Sequence, residues 1–373
     1  MKFTCNSLVI LFCACCLNCV PARKNAGAST TAVTTTLPAT ALQPAGRFVV
    51  NQDNGLEMIS SAMHFGFSFE GTECRIFATI PNVNGHNYLQ YELDGVYQKR
   101  LKIVGNVTEP IVITAPTEGT HTVWIYKATE AHTGPVVIQK ITGAKLKVLK
   151  KPRAPLIEFI GNSITCGAAA DPSDVPCGSG QYHDQHNAYM AYGPRLARAL
   201  NANFVVSSVS GIGVYRNWNS NGPTMPEVYE KVDFQATNSQ RWDFKTDTPQ
   251  VVSIALGTND FSRGDGKKER LPFDSARYVT SYISFVGVVK SKYPKAQLVL
   301  LSSPMVNGEN RQQLQRCLTA VKGGIDAANP TDKPVALHFF QPMRASGCSG
   351  HPSVDDHAII AQELLPFFRK LLL

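Results

Sequence analysis

Four polar positions in this chain combine into a recognisable chemistry. Ser163, in the stretch IEFIGNSITCG, offers a hydroxyl, and His351, in GCSGHPSVDDH, offers an imidazole. Gly211, in SGIGVYRN, offers a closely approachable backbone amide, and Asn259, in LGTND, offers a side-chain amide. A serine hydroxyl is a weak nucleophile until a base takes its proton. Attack on an ester then builds a negative oxygen that needs N–H donors aimed at it. Ser163 as nucleophile, His351 as base, and the N–H groups of Ser163, Gly211 and Asn259 as oxyanion donors meet those requirements. Each piece also has an ordinary reading. GNS before a helix suits an N-cap, SG and GTND suit turns, and a histidine in a Gly- and Pro-containing loop is commonly just exposed. The combination, with each piece after a predicted strand or in a terminal loop, is what points to chemistry.

Those strands must exist for the four positions to meet. From residue 151 onwards, apolar runs alternate with helical stretches: PLIEFIG, ANFVVSSVSG, PQVVSIALGTND and AQLVLLSSP read as strands. AYMAYGPRLARALN and DSARYVTSYISFVGVVKSKYP read as helices. Fully apolar strands between helices argue for a parallel sheet covered on both faces. Ligands of such sheets bind beyond the carboxyl ends of the strands. Ser163, Gly211 and Asn259 therefore gather at one rim.

Residues 47–150 follow another grammar. HFGFSFEG, ECRIFATI, NYLQYELDG, YQKRLKIV, PIVITAP and HTVWIYKATE are short, rich in β-branched and aromatic residues, and punctuated by turn formers. That pattern predicts an all-β sandwich, with Trp124 in its core. The expected fold is therefore two-domain: an N-terminal all-β, jelly-roll-like sandwich (47–150) and an α/β three-layer domain with a parallel sheet (151–373). Residues 1–22 carry the charge, short apolar core and small-residue pattern of a secretory signal peptide, with lipidation at Cys15 as the alternative. Residues 23–46, rich in Ala and Thr, read as a linker with too little apolar surface to fold.

The 373 residues carry a formal net charge of +8 and are 43% hydrophobic. The basic residues are scattered rather than clustered with aromatics, which argues against nucleic-acid binding. No membrane span is expected, and a secreted or extracellular monomer is the predicted state. Of ten cysteines, five lie in the leader, leaving Cys74, Cys166, Cys177, Cys317 and Cys348. Cys166–Cys177 and Cys317–Cys348 are the local pairings to consider. Asn106-Val107-Thr108 is an N-glycosylation sequon.

The blocks GNSIT, SGIGVYRN, GTND and GHPS resemble those of the SGNH, or GDSL, hydrolase superfamily, with Asn162 where an aspartate is often found. AYGPRLARALNA, SGIGVYRNW, PTMPEVYE and LGTNDFS more specifically resemble carbohydrate esterase family 2, whose members join a jelly-roll sandwich to an SGNH domain. The resemblance implies Ser163 as nucleophile, His351 as base, and Ser163, Gly211 and Asn259 as the oxyanion hole. It implies removal of acetyl groups from acetylated plant polysaccharide, xylan or glucomannan, without a metal or organic cofactor. An SGNH esterase on lipid or other acyl esters, and a catalytically weak carbohydrate-binding protein, are the alternatives. The family often places an aspartate shortly before the histidine; here Cys348, Ser349 and Gly350 stand there. Asp355 and Asp356 read better as first-turn acids of the terminal helix, so a Ser–His dyad is expected.

Near the rim, Trp218, Tyr215 and Asp260 are candidate substrate contacts: the indole and phenol to stack on a sugar, the carboxylate to hydrogen-bond it. A core-packing role under the loop competes for Trp218 and Tyr215, and a cap role for Asp260. His183 and His186, with Asp184, have spacing that suits a metal. A solvated loop is the favoured reading, and no metal is expected.

Overall fold

Apolar residues on both faces of a strand can be satisfied only by cover on both sides, and the second half of the chain is built that way. The computed structural model describes residues 33–267 and 269–372. The proposed signal peptide, the alternative lipidation site and the start of the linker lie outside these residues. Five parallel strands run in the order Asn203–Ser208, Leu156–Gly161, Val251–Ala255, Gln297–Leu301, Ala336–His338. The four expected strands are present, and a three-residue strand extends one edge. Every residue of Leu156–Gly161 is buried. Helices Tyr192–Ala199, Ser275–Lys292, Gly308–Ala328 and Val354–Leu371 are the long helices of this half. The Asp274 carboxylate caps Ser275–Lys292 by accepting the Arg277 N–H at 2.9 Å.

The first half is a nine-stranded antiparallel assembly. Its spine is His64–Thr79, which pairs with Thr120–Lys127 along one part and Ile111–Thr114 along another. Alternation along it buries Phe65, Phe67 and Phe69 together.

Two expectations need correction here. Thr34–Pro38, assigned to the linker, is a strand paired antiparallel with Lys140–Ala144, and Thr35 Oγ1 donates to the Gly143 carbonyl at 3.0 Å. Its stability comes from backbone pairing on an open strand edge, which a count of buriable side chains does not register. Trp124, expected in the sandwich core, packs instead against a cluster shared by the two halves. Gly66 makes room for it, since a Cβ there would press on the indole ring.

That shared cluster joins Ala62 and Tyr126 of the antiparallel half to Ile157, Phe159 and Phe204 of the parallel half. On the opposite face of the same strand, Glu158 accepts from Ser207 Oγ at 2.7 Å and from Tyr229 OH at 3.1 Å. The buried Arg47 of the antiparallel half supplies the opposing charge. The two halves therefore form one packed body, and residues from the first can reach the site of the second.

Candidate active site

The turn after Leu156–Gly161 shows which residue caps the helix that follows. A Cβ at position 161 would overlap the Thr165 hydroxyl, so only glycine lets the strand enter the helix this tightly. Asn162, not Ser163, caps the short helix Ser163–Cys166: its side-chain oxygen accepts the Ile164 N–H at 3.1 Å. Ser163 is thus the first helical residue. Its hydroxyl is free of capping, and its N–H has no partner within the helix.

That hydroxyl lies 3.0 Å from Nε2 of His351. His351 follows the turn Cys348–Gly350 and precedes the helix Val354–Leu371. Its Nδ1 lies 3.2 Å from the Ser349 carbonyl oxygen. Among the described residues no carboxylate is hydrogen-bonded to the ring. Asp356 instead accepts the Ser353 N–H at 2.9 Å and the Ser346 N–H at 2.7 Å, capping the terminal helix. Burial holds the His351 imidazole below its ordinary value, outweighing the upward pull of the Ser349 carbonyl. The ring is therefore neutral, and able to accept a proton, at neutral pH.

Gly211, at φ 74°, begins the turn after Asn203–Ser208. Glu130 of the antiparallel half reaches this turn and accepts the Ser210 N–H at 2.6 Å. Burial pushes the Glu130 carboxyl up, but His186 and the Ser210 N–H outweigh it and hold it at about 2. Asn259 Nδ2 donates to the Ile212 carbonyl at 2.8 Å, which fixes the amide against the same turn. A primary amide has two N–H donors, so one remains for a ligand.

Ser163, Gly211, Asn259 and His351 line one cavity of about 700 Å³, together with Tyr182 and Trp218. Trp218 is 45% exposed, and its N–H donates to the Gly211 carbonyl at 2.8 Å, which ties it to the rim. Tyr215 and Asp260 do not line this cavity. Tyr215 packs on Phe273 and Tyr278, and its hydroxyl accepts the Asp274 N–H at 3.1 Å. Asp260 is fully buried and accepts the N–H groups of Val214 and Tyr215 at 3.0 Å. Its negative charge is satisfied by backbone donors, which makes it a strut for the Gly211 loop rather than a ligand contact.

Tyr182 was not among the site residues expected from the sequence, and the expected cysteine pairings and histidine pair are arranged differently. Tyr182, from the polar insertion, places its hydroxyl 3.5 Å from His351 Nε2. Cys177, on the same insertion, is disulfide-bonded to Cys348, and Cys74, Cys166 and Cys317 are free and buried. Both local pairings are thus overturned: the fold brings partners 171 residues apart together, while Cys166 lies against Ser208 Oγ at 3.0 Å. His183 and His186 do not converge on one point. His186 turns inward to Glu130, and His183 turns outward to the carbonyl of His86.

Comparison with known proteins agrees with this layout. Residues 44–152 match the family profile "Carbohydrate esterase 2 N-terminal", and residues 159–334 match "GDSL-like Lipase/Acylhydrolase family". An acetylxylan esterase / glucomannan deacetylase of Cellvibrio japonicus is 30% identical over 320 residues, covering 83% of this chain and 84% of that protein. Cellulase/esterase CelE of Acetivibrio thermocellus is 30% identical over 332 residues, covering 86% of this chain; the chain spans 38% of its length. A family two carbohydrate esterase from Clostridium thermocellum, solved in complex with cellohexaose, superposes with a TM-score of 0.74 at 28% identity, covering 90% of this chain and 98% of that one. One from Cellvibrio japonicus, at 24% identity, shares the fold with a TM-score of 0.79, covering 91% of this chain and 98% of that one.

Proposed function

This chain belongs to carbohydrate esterase family 2 and is a carboxylic ester hydrolase, and from that premise we propose that it removes acetyl groups from acetylated xylan or glucomannan outside the cell. The observation that carries the reading is the 3.0 Å contact between Ser163 Oγ and His351 Nε2 at a cavity of about 700 Å³.

In this mechanism His351 Nε2 takes the Ser163 proton as Oγ attacks the acetyl carbonyl carbon. The negative oxygen that forms is received by the N–H groups of Ser163 and Gly211 and by the free N–H of Asn259. Such donors are each worth about 10²–10³ in rate, because they are already oriented when charge develops. Collapse of the intermediate expels the sugar oxygen, which takes the proton from His351 and leaves an acetyl-serine. Water then attacks with His351 again as base, and the bond to Ser163 breaks as Oγ takes the proton back from His351, releasing acetic acid, which ionises to acetate. The Ser349 carbonyl accepts the Nδ1–H throughout, which selects the tautomer with a lone pair on Nε2. A neutral carbonyl stabilises the imidazolium less than a carboxylate does, so Ser163 and His351 act as a dyad. Trp218 offers the sugar a face to stack on. The N-terminal pattern in residues 1–22 supports export.

Acetate release from acetylated xylan, acetylated glucomannan and a lipid ester, measured side by side, tests the reading. Fast release from one polysaccharide, abolished in Ser163→Ala, is expected. Wild-type release no faster than that of Ser163→Ala would sink it.

A further inference from the structure

The insertion that carries Tyr182 also carries a cluster that the ester chemistry leaves unused. His86 opens the strand His86–Leu93 of the antiparallel half, and His183 and Asp184 lie in the turn Tyr182–Gln185. One ligand atom from each of the three lies within 4.8 Å of the others. The two imidazoles face each other with ring centres 4.8 Å apart and planes 37° apart. Nε2 of His86 contacts Oδ1 of Asp184.

The surroundings orient Asp184 and His183 as donors of electron pairs, while the His86 Nε2–H donates to the Asp184 carboxylate and gives up that proton when a metal takes its place. The Tyr88 hydroxyl donates to Asp184 Oδ1 at 2.9 Å, and the Gln181 N–H donates to Oδ2 at 2.7 Å. These bonds hold the buried carboxylate toward the rings. Nε2 of His183 lies 3.1 Å from the His86 carbonyl oxygen. A neutral ring that donates there carries its lone pair on the other nitrogen, which has no hydrogen-bond partner among the described residues. A histidine ligand anchored through its second nitrogen by a carbonyl is the usual arrangement at metal sites.

We propose that His86, His183 and Asp184 bind one divalent transition-metal ion, zinc by ligand type, across the junction of the two halves. Two imidazoles and one carboxylate with a water in the fourth position suit tetrahedral zinc. Bond lengths of about 2.0–2.1 Å place tetrahedral ligands about 3.4 Å apart, so separations within 4.8 Å close by no more than about 1.4 Å on binding while the His86–Asp184 contact widens. The ion performs no step on the ester. It clamps the turn next to Tyr182, whose hydroxyl faces His351, and so stiffens the cavity wall.

Calorimetric titration of purified, untagged, full-length protein with zinc chloride, and visible absorption with cobalt(II) as a spectroscopic stand-in, test the site. One ion per chain and cobalt bands of tetrahedral intensity are expected. His86→Gln and His183→Gln should each weaken binding by at least about tenfold, whereas His338→Gln, outside the cluster, should not. Saturating zinc should raise Tm of the wild type by about 3–5 °C and leave that of His183→Gln unchanged. Absence of binding to the folded wild-type protein overturns the proposal, as do several weak equivalents or retained affinity in a folded His183→Gln. None of these readouts depends on esterase activity, so their failure leaves the proposed function intact.

Discussion

The carbonyl oxygen of Ser349 lies 3.2 Å from Nδ1 of His351, two residues further along the chain, and Ser349 is itself held at φ 51°. A left-handed residue in a three-residue turn is what folds the carbonyl back onto the ring that follows it. Proline cannot adopt that φ, so Ser349→Pro is expected to lower kcat/KM by about 10–100-fold through loss of the orienting bond. Ser349→Gly tolerates the conformation and should stay within about twofold. Equal activity of the two variants, both folded by circular dichroism, would remove the carbonyl from the mechanism.

The pH dependence follows from the sign of the His351 shift. A base works only when unprotonated, and burial holds this imidazole below its ordinary value of 6.5. Hydrolysis of a small acetyl ester should therefore rise with pH along one limb, with a midpoint below 6.5, and then level off. A midpoint above 6.5 in kcat/KM, which reports the free enzyme, contradicts a carbonyl-oriented, partly desolvated base.

Glu130 couples the antiparallel half to the Gly211 turn and to acid stability. Its carboxyl is held at about 2 against an ordinary 4.5. A depressed carboxylate contributes stability above its unfolded pKa and loses it as pH falls through the folded value, here from 4.5 towards 2. Burial also lowers His357, to about 3, and that group loses its contribution as pH falls from 6.5 towards 3. Thermal melts should show Tm falling steadily below pH 6.5. Glu130→Ala, which orphans His186 and the Ser210 N–H, should cost about 3–5 kcal/mol and slow acetate release. A Tm within a degree of wild type would show the contact to be energetically idle.

The Cys177–Cys348 disulfide ties the insertion to the turn that orients the base. Cys177→Ser should cost about 2–5 kcal/mol of stability and lower kcat several-fold by freeing that turn. Peptide mapping under non-reducing conditions should find the 177–348 linkage. Both thiols free in active protein would refute it.

Trp218 exposes its indole beside the cavity while its backbone N–H anchors the Gly211 turn. Replacement of the side chain leaves that bond in place. Trp218→Ala is expected to raise KM for an acetylated oligosaccharide by about 2–10-fold, from a stacking contribution of about 0.5–1.5 kcal/mol. Hydrolysis of a small acetyl ester should change less than twofold. Equal effects on both substrates would assign Trp218 to the fold rather than to the sugar.

The element types were legible in the sequence because their causes are local. The run Leu156–Gly161, apolar but for Glu158, reads as a buried strand, and the spacing in Ser275–Lys292 reads as an amphipathic helix. Polar residues after such strands fall at one rim by topology, which is why Ser163, Gly211 and Asn259 were found together. His351 entered through its terminal loop and the family blocks around it. Other features depend on which distant atoms the fold brings within bonding distance. A carbonyl exists at every position, so nothing in Cys348-Ser349-Gly350 marks the one that serves His351. Cys177 meets Cys348, Glu130 meets Ser210, and His86 rather than His186 joins Asp184, across separations for which sequence spacing holds no information. Thr34–Pro38 became a strand only because an unpaired edge was waiting for it. Local pattern decided which elements form and where polar groups collect; hydrogen-bond range, a few ångströms and set by tertiary packing, decided which of those groups act on one another.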